Sequence, residues 1–289
     1  MTSTLFRNRD SRSAMLGAYE RLLKETPEAH PAQVATRFGD THLLVAGRED
    51  APPLVVLHGA MANSAMAIRE AHSLFERFRV YVVDVIGHSV KSADVRLRLD
   101  NADYAEWLRD VLDALGLSAP HVYGASLGAF VARKLAELAP ERIERLVLLV
   151  PAGIVSAPLL RSISQAGIPL ILYKTTGSQA ALERFVGSIM TSPDEALFAY
   201  LSEALAHYKL DISVPPLGTP EPLRAFARPT LIIGASDDIT CPAQALLQRA
   251  PELFPHATIE ILPNCKHIPP TDPVSRKRLC DRVSRFLLG

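Results

Sequence analysis

The chain is short of several things at once. Of its 289 residues only 6% are aromatic, one is a tryptophan and three are cysteines, Cys241, Cys265 and Cys280. Three thiols without C-x-x-C spacing supply neither a disulfide framework nor a zinc or redox pair, so reduced, structural cysteines are expected. Net charge is missing too: 31 Lys and Arg meet 31 Asp and Glu. Without a basic surplus no nucleic-acid partner is expected. No run of five like charges occurs, which leaves out an acidic tail or a basic arm. Long apolar runs are lacking as well. Residues 1–12 carry Arg7, Arg9, Asp10 and Arg12 but no apolar signal-peptide region. The longest apolar stretch, residues 146–158, is broken by Pro151 and Gly153 and falls short of the roughly 18 residues a spanning helix needs. A cytoplasmic protein with no membrane partner is the expectation. What remains, 48% hydrophobic and 21% charged residues, suits one large α/β domain or two smaller ones.

Periodicity organises the chain. Residues 11–25 have apolar side chains at helical spacing, stopped by Pro27 and Pro31. Residues 34–38 and 42–45, separated by Gly39-Asp40, read as a hairpin at a sheet edge. After Pro52-Pro53 come short, wholly apolar runs of the kind buried on both faces of a sheet: 54–57, 80–83, 121–123, 146–150, 230–233 and 259–262. Helical patterns at 103–115, 127–138, 243–253 and 272–288 alternate with them. Strand alternating with helix predicts a mostly parallel sheet covered on both faces, with its chemistry at the carboxyl ends of the strands. One interval breaks the alternation. Residues 152–224 hold only helical segments (159–173, 179–190 and 194–210) and a Pro/Gly-rich return at 214–220. The predicted organisation is a core of residues 1–151 and 225–289, with an N-terminal helix at 11–25, and a helical cap at 152–224.

The sequence Gly124-Ala125-Ser126-Leu127-Gly128 falls between a strand and a helix. A serine on so sharp a turn stands exposed above the sheet, and its small neighbours keep the backbone free of clashes. A serine hydroxyl needs a base, and the base an orienting carboxylate. His267 follows the run 259–262 at the correct edge, whereas His256 precedes it and His207 lies in a helical run of the cap. For the acid, the run 230–233 leads through Gly234 to Asp237 and Asp238. Adjacent side chains diverge, so one of the two faces the histidine; Asp237 is the expectation, with Asp238 capping or bracing the loop. The backbone N–H of Leu127, at a helix N-terminus, is one expected oxyanion donor. The second is expected from Ala60, with Met61 the runner-up, in the loop opened by His58-Gly59, where His58 is expected to brace the loop.

Together, His58-Gly59, the Asp84-Val85-Ile86-Gly87-His88-Ser89-Val90-Lys91-Ser92 loop, the Ser126 turn, Asp237 and His267 resemble the α/β-hydrolase superfamily from about residue 33 onward. The hairpin Thr36-Arg37-Phe38-Gly39-Asp40-Thr41-His42, the Lys-Ser ending of the 84–92 loop and Asp103-Tyr104-Ala105-Glu106-Trp107-Leu108 resemble bacterial carboxylesterases of the NP type. The resemblance implies an α/β-hydrolase fold, a cap over the site and hydrolysis with no cofactor. Two departures stand out. Lys266 replaces the glycine that many relatives carry before the histidine, placing a cation where it would act on His267 or on an anionic substrate group. After His58-Gly59, residues 60–63 are Ala-Met-Ala-Asn rather than a glycine run, so bulky tertiary-alcohol esters are not indicated.

The expected activity is that of a serine hydrolase cleaving a carboxylic ester of a small, largely apolar molecule through an acyl-enzyme. No metal is called for, since no His/Asp cluster has ligand spacing. Substrate-binding walls are expected from Met61, Met66, Tyr173, Phe185, Met190, Tyr208 and Ile268, and the chain leaves room for a homodimer. Other reactions could use the same residues (C–C bond, lactone or thioester hydrolysis), as could a slow-turnover receptor.

Overall fold

In the computed structural model, which describes residues 5–26, 28–157, 159–209, 211 and 213–289, the apolar runs form one eight-stranded sheet. Chain order begins with helix α1 (Arg9–Leu23), strands β1 (His30–Thr36), β2 (Gly39–Ala46) and β3 (Pro53–Leu57), and helix α2 (Ser64–Glu70). There follow β4 (Arg79–Val83), α3 (Asp103–Ala114), β5 (His121–Ala125), α4 (Leu127–Leu138) and β6 (Leu146–Leu149). The strands lie in the order β1-β2-β4-β3-β5-β6-β7-β8, completed by β7 (Thr230–Ala235) and β8 (Thr258–Leu262). The β1–β2 hairpin joins antiparallel to β4, and every pairing from β4 through β8 is parallel.

The parallel strands are apolar throughout because both faces are covered. In β3, Val55 and Leu57 enter a core built with α3 and α4, while Leu54 and Val56 enter a second core built with α1 and α2. Side-chain alternation along a strand produces this split. The hairpin turn is displaced from its expected place. Thr36 pairs with Gly39, so Arg37 and Phe38 occupy the turn and Gly39 opens β2. Gly39 takes φ +117°, and Thr36 Oγ1 donates to its carbonyl at 2.6 Å, which closes the turn two residues early.

Between β6 and β7 lies the expected helical interval. It contains α5 (Leu159–Ser162), a π turn at Ile163–Gly167, α6 (Ile168–Thr176), α7 (Gln179–Ile189), α8 (Glu195–His207) and α9 (Pro220–Leu223). Two helix starts follow from their residues: Ser178 caps α7 and Asp194 caps α8 by accepting backbone N–H bonds. Leu210, the expected end of the last cap helix, lies outside the described residues. The segment 179–205 has its own apolar cluster around Leu182, Phe185, Leu197 and Leu201, against which Met61, Met66 and Ile268 of the body pack. The chain's amino end is tied to it. Phe6 bridges Tyr208, and Lys209 N–H donates to the Leu5 carbonyl at 2.8 Å. After β7 come α10 (Ala243–Leu253) and, after β8, α11 (Pro273–Leu288). Among the described residues no helix is long and apolar enough to cross a membrane. Cys241, Cys265 and Cys280 are free thiols and buried.

Candidate active site

The carboxyl ends of β3, β5, β7 and β8 converge, and each delivers a candidate residue. After β5 the backbone turns at Ser126 with φ +52° and ψ −112°, a conformation that L residues rarely adopt. The flanking glycines make it possible. A Cβ on Gly124 would come within 2.4 Å of the Gly128 carbonyl oxygen, and one on Gly128 within 2.2 Å of the Leu57 carbonyl oxygen. Strand, turn and α4 therefore close on each other only without side chains at these two positions.

His267 Nε2 lies 2.9 Å from Ser126 Oγ. Its other nitrogen, Nδ1, lies 2.8 Å from Asp238 Oδ2. The carboxylate that meets the histidine is thus Asp238 and not Asp237, which corrects the expectation. The reason lies in where β7 stops. The strand continues through Ala235, Ser236 and Asp237 form an outward turn, and Asp237 N–H donates to the Cys265 carbonyl at 2.8 Å. Asp237 is left exposed with the Ser236 hydroxyl as its partner at 3.2 Å, while Asp238 returns inward and is 1% exposed. Burial alone would raise the Asp238 carboxyl. The hydrogen bond and charge of His267 and the N–H groups of Thr240 and Cys241, at 2.7 and 3.0 Å, bring it below the usual carboxylate value instead. The Thr240 hydroxyl donates to Asp238 Oδ1 at 2.8 Å and sets its oxygen 2.7 Å from His267 Nδ1. Sequence reasoning missed this threonine, because nothing in residue type or spacing distinguishes it from any loop hydroxyl.

The loop after β3 is held from behind. His58 accepts the Val85 N–H at Nε2 (2.9 Å) and donates from Nδ1 to the Gly59 carbonyl (2.8 Å). Burial lowers its pKa, so it serves as a neutral brace. Beneath it, Asp84 is fully buried and accepts from Ser64 N–H at 2.6 Å and from His42 Nδ1 at 2.7 Å. Burial opposes its charge, yet the bond from His42 and the nearby His58 and His42 rings hold its carboxyl low. The Ser92 hydroxyl bonds the Asp84 carbonyl and receives the His42 N–H. Trp107 Nε1 donates to Thr41 Oγ1 at 2.8 Å, and Arg37 forks onto Asp110. The hairpin, the 84–92 loop and α3, which carry the sequence resemblance, are therefore one hydrogen-bonded support for the residues 58–61. Within that loop Met61 takes φ +57°.

Two cavities open on Ser126. The larger, about 650 Å³, is bordered by Ala60, Met61, Leu127, Leu99, Tyr104 and Tyr208, among others. The smaller, about 360 Å³, is bordered by His267, Ile268, Phe185, Leu197, Leu201 and also Met61. Of the expected walls, Met61, Phe185, Tyr208 and Ile268 thus reach the site. Met66 and Tyr173 do not border either cavity and pack against the cap cluster, and Met190 turns to a separate groove on the far side of α7. Lys266 also departs from expectation. Its ammonium donates to the Gly187 carbonyl near the C-terminal end of α7 at 2.5 Å and borders that same outer groove, so it clamps the cap rather than acting on His267 or on substrate. His256 is exposed before β8, and His207, ending α8, meets Ser11 at 3.4 Å. Among the described residues no group of His, Cys, Asp and Glu gathers that could hold a metal ion.

Comparison with known proteins identifies the fold family. Residues 52–216 match the family described as the alpha/beta hydrolase fold. The carboxylesterase YbfK of Bacillus subtilis is 42% identical over 136 residues, 47% of this chain and 46% of that protein's length. An uncharacterized carboxylesterase, nap, of the same organism is 29% identical over 245 residues, covering 81% of this chain and 79% of the relative. The crystal structure of the B. subtilis naproxen esterase (carboxylesterase NP) superposes with a TM-score of 0.83 at 26% identity, over 97% of this chain and 99% of the other. That of YbfK superposes with a TM-score of 0.81 at 28% identity, over 96% and 98%. With the serine turn, the sheet order and these likenesses in hand, the chain belongs to the alpha/beta hydrolase family.

Proposed function

We propose that the protein is a serine carboxylesterase. The observation that carries this reading is the unbroken line from Asp238 Oδ2 through the His267 ring to Ser126 Oγ, with gaps of 2.8 and 2.9 Å. Support among relatives comes from two solved structures that match this chain over nearly their whole length and are named carboxylesterases.

The reaction follows from the proton positions. With Nδ1–H donated to Asp238, the Nε2 lone pair faces the serine hydroxyl and takes its proton as Oγ attacks the ester carbonyl. The carbonyl oxygen becomes an oxyanion, received by the N–H groups of Ala60 and Leu127, where the N-terminus of α4 adds a favourable dipole. As the tetrahedral species collapses, the C–O bond to the alcohol breaks and Nε2–H protonates the departing oxygen. Water then enters, gives its proton to Nε2 and attacks the acyl carbon; the acid leaves and Ser126 regains its proton. The Asp238 carboxylate, held low by its donors, remains charged throughout and stabilises the imidazolium formed in each half.

Ser126→Ala tests the reading directly. The variant is expected to lose about six orders of magnitude in kcat/KM for p-nitrophenyl butyrate, and intact mass after fluorophosphonate treatment should show one adduct on the wild type and none on the variant. Wild-type turnover by the alanine variant would overturn the assignment.

A further inference from the structure

The two cavities at Ser126 differ in which other groups of the site they reach. Both are bordered by Ser126, Ala60 and Met61. Among the described residues, Leu127 borders only the cavity of about 650 Å³, whereas His267 and Thr240 border only that of about 360 Å³. This division orients an ester. Once the carbonyl carbon is bonded to Oγ, three substituents remain on it. The oxyanion must face Ala60 and Leu127, and the leaving oxygen must face His267 Nε2, which delivers its proton. The acyl chain takes the direction left over, away from the histidine.

We infer that the alcohol part of the substrate occupies the 360 Å³ cavity beside His267, and the acyl part the 650 Å³ cavity beside Leu127. The inference rests on the acyl-enzyme reading above. Each cavity then specifies its own half of the molecule. The alcohol cavity is walled by Phe185, Ile189, Leu197, Leu201 and Ile268, and at its inner end Glu70 and Arg276 are engaged with each other at 3.0 Å. Among the described residues no unpaired charge borders this cavity, so this half is apolar, and its size exceeds that of a simple methyl or ethyl group. The acyl cavity has apolar walls from Leu5, Leu97 and Leu99, but its border also holds Arg96, Arg98, Lys174 and Lys209 against Asp100 and Asp211.

A pair of isomeric esters tests the orientation: 2-naphthylmethyl acetate, with its bulk on the alcohol, and methyl 2-naphthylacetate, with the same bulk on the acyl side. Ile189 and Leu99 are half-buried wall residues of the alcohol and acyl cavities respectively. The ratio of kcat/KM for the first ester to that for the second is expected to fall roughly tenfold in Ile189→Trp and to rise roughly tenfold in Leu99→Trp. A ratio that moves the opposite way, or in neither variant, overturns the inference. The wild-type enzyme gives an independent measurement should a tryptophan variant not fold. A crystal structure after labelling with a 2-naphthylmethyl phosphonofluoridate should show the carbon-linked naphthyl group in the 650 Å³ cavity; its presence in the other overturns the assignment of halves. If Ser126 takes no label and neither ester is hydrolysed, the esterase reading fails as well, an outcome distinct from a labelled enzyme with the halves reversed.

Discussion

At the scale of single residues, the decision between Asp237 and Asp238 is the most testable feature of the site. Asp238→Asn removes the charge that fixes the His267 tautomer and stabilises its imidazolium, so kcat is expected to fall by about 10⁴. Asp237→Asn changes only an exposed turn and should leave kcat/KM within about twofold, since surface substitutions of this kind rarely matter. Equal losses in the two variants would show that the 2.8 Å contact is not the one used. Thr240 adds a second prediction. Its hydroxyl satisfies Asp238 Oδ1 and faces His267 Nδ1, so it is a positioning residue that touches no reacting atom. Thr240→Val should cost about tenfold in kcat with little change in KM, through roughly 1–2 kcal/mol of lost hydrogen bonding. Thr240→Ser should restore the rate, whereas a packing role for the methyl group would leave serine as impaired as valine. Ser126 and His267 were legible in the sequence because each stands at a fixed offset from a strand that apolar patterning reveals. The acid was not, because its choice depended on where β7 ends, and strand ends are set by tertiary pairing: Ala235 pairs with Leu262 of β8, two residues beyond the apolar run.

Elements show the same contrast between local and long-range causes. The parallel strands and crossover helices could be read directly, since burial on two faces leaves unbroken apolar runs in the sequence. The attachment of the cap could not, because it is made of polar residues far apart in the chain. Asp194 is central to it. Its carboxylate caps α8 by accepting the Leu197 N–H at 3.0 Å, and it meets Arg69 of α2 at 3.0 Å and Arg276 of α11 at 3.3 Å with only 7% of its side chain exposed. One side chain thus starts a cap helix and ties it to α2 and α11 of the core. The two roles can be separated by substitution. Asp194→Asn retains a capping oxygen but loses the charge, leaving Arg69 with Glu25 and Arg276 with Glu70 as their remaining partners; Asp194→Ala loses both. Urea unfolding is expected to show a loss of about 1.5 kcal/mol for asparagine and about 1 kcal/mol more for alanine. Equal losses would mean that the cap bond contributes nothing. Lys266, read from sequence as a cation acting on the site, belongs to this same class of attachments, since it reaches the Gly187 carbonyl of α7.

Taken whole, the molecule buries polar groups in the support of its site, and this sets how its stability depends on pH. His88 is 9% exposed, with Nε2 3.0 Å from the Tyr104 hydroxyl. Burial, together with the neighbouring His58 and Arg96, holds its pKa down to about 3, against a weaker opposing pull from Asp211. In the unfolded chain the same ring titrates near ~6.5. Between these two values the unfolded state binds the proton that the folded state refuses, so stability rises with pH across that window and falls as acid is added. The slope approaches about 1.4 kcal/mol per pH unit for each such group. Asp84 and Asp238 act elsewhere: their folded pKa values are depressed, so the stability they contribute is present above the ordinary carboxylate range and is lost only as pH falls through their lowered values. Between pH 7 and 5 the buried imidazoles act in this direction, His58 among them, its pKa lowered by burial, while Glu70, pushed up by burial to about 7, acts in the opposite one. Replacing His88 by glutamine removes one titrating group while keeping a donor and an acceptor for Tyr104. Urea unfolding of the wild type at the two pH values should lose about 2 kcal/mol more than the His88→Gln protein does over the same interval, whatever the variant's stability at pH 7. Identical losses would show that His88 is protonated in the fold at pH 5, as an imidazolium beside Arg96.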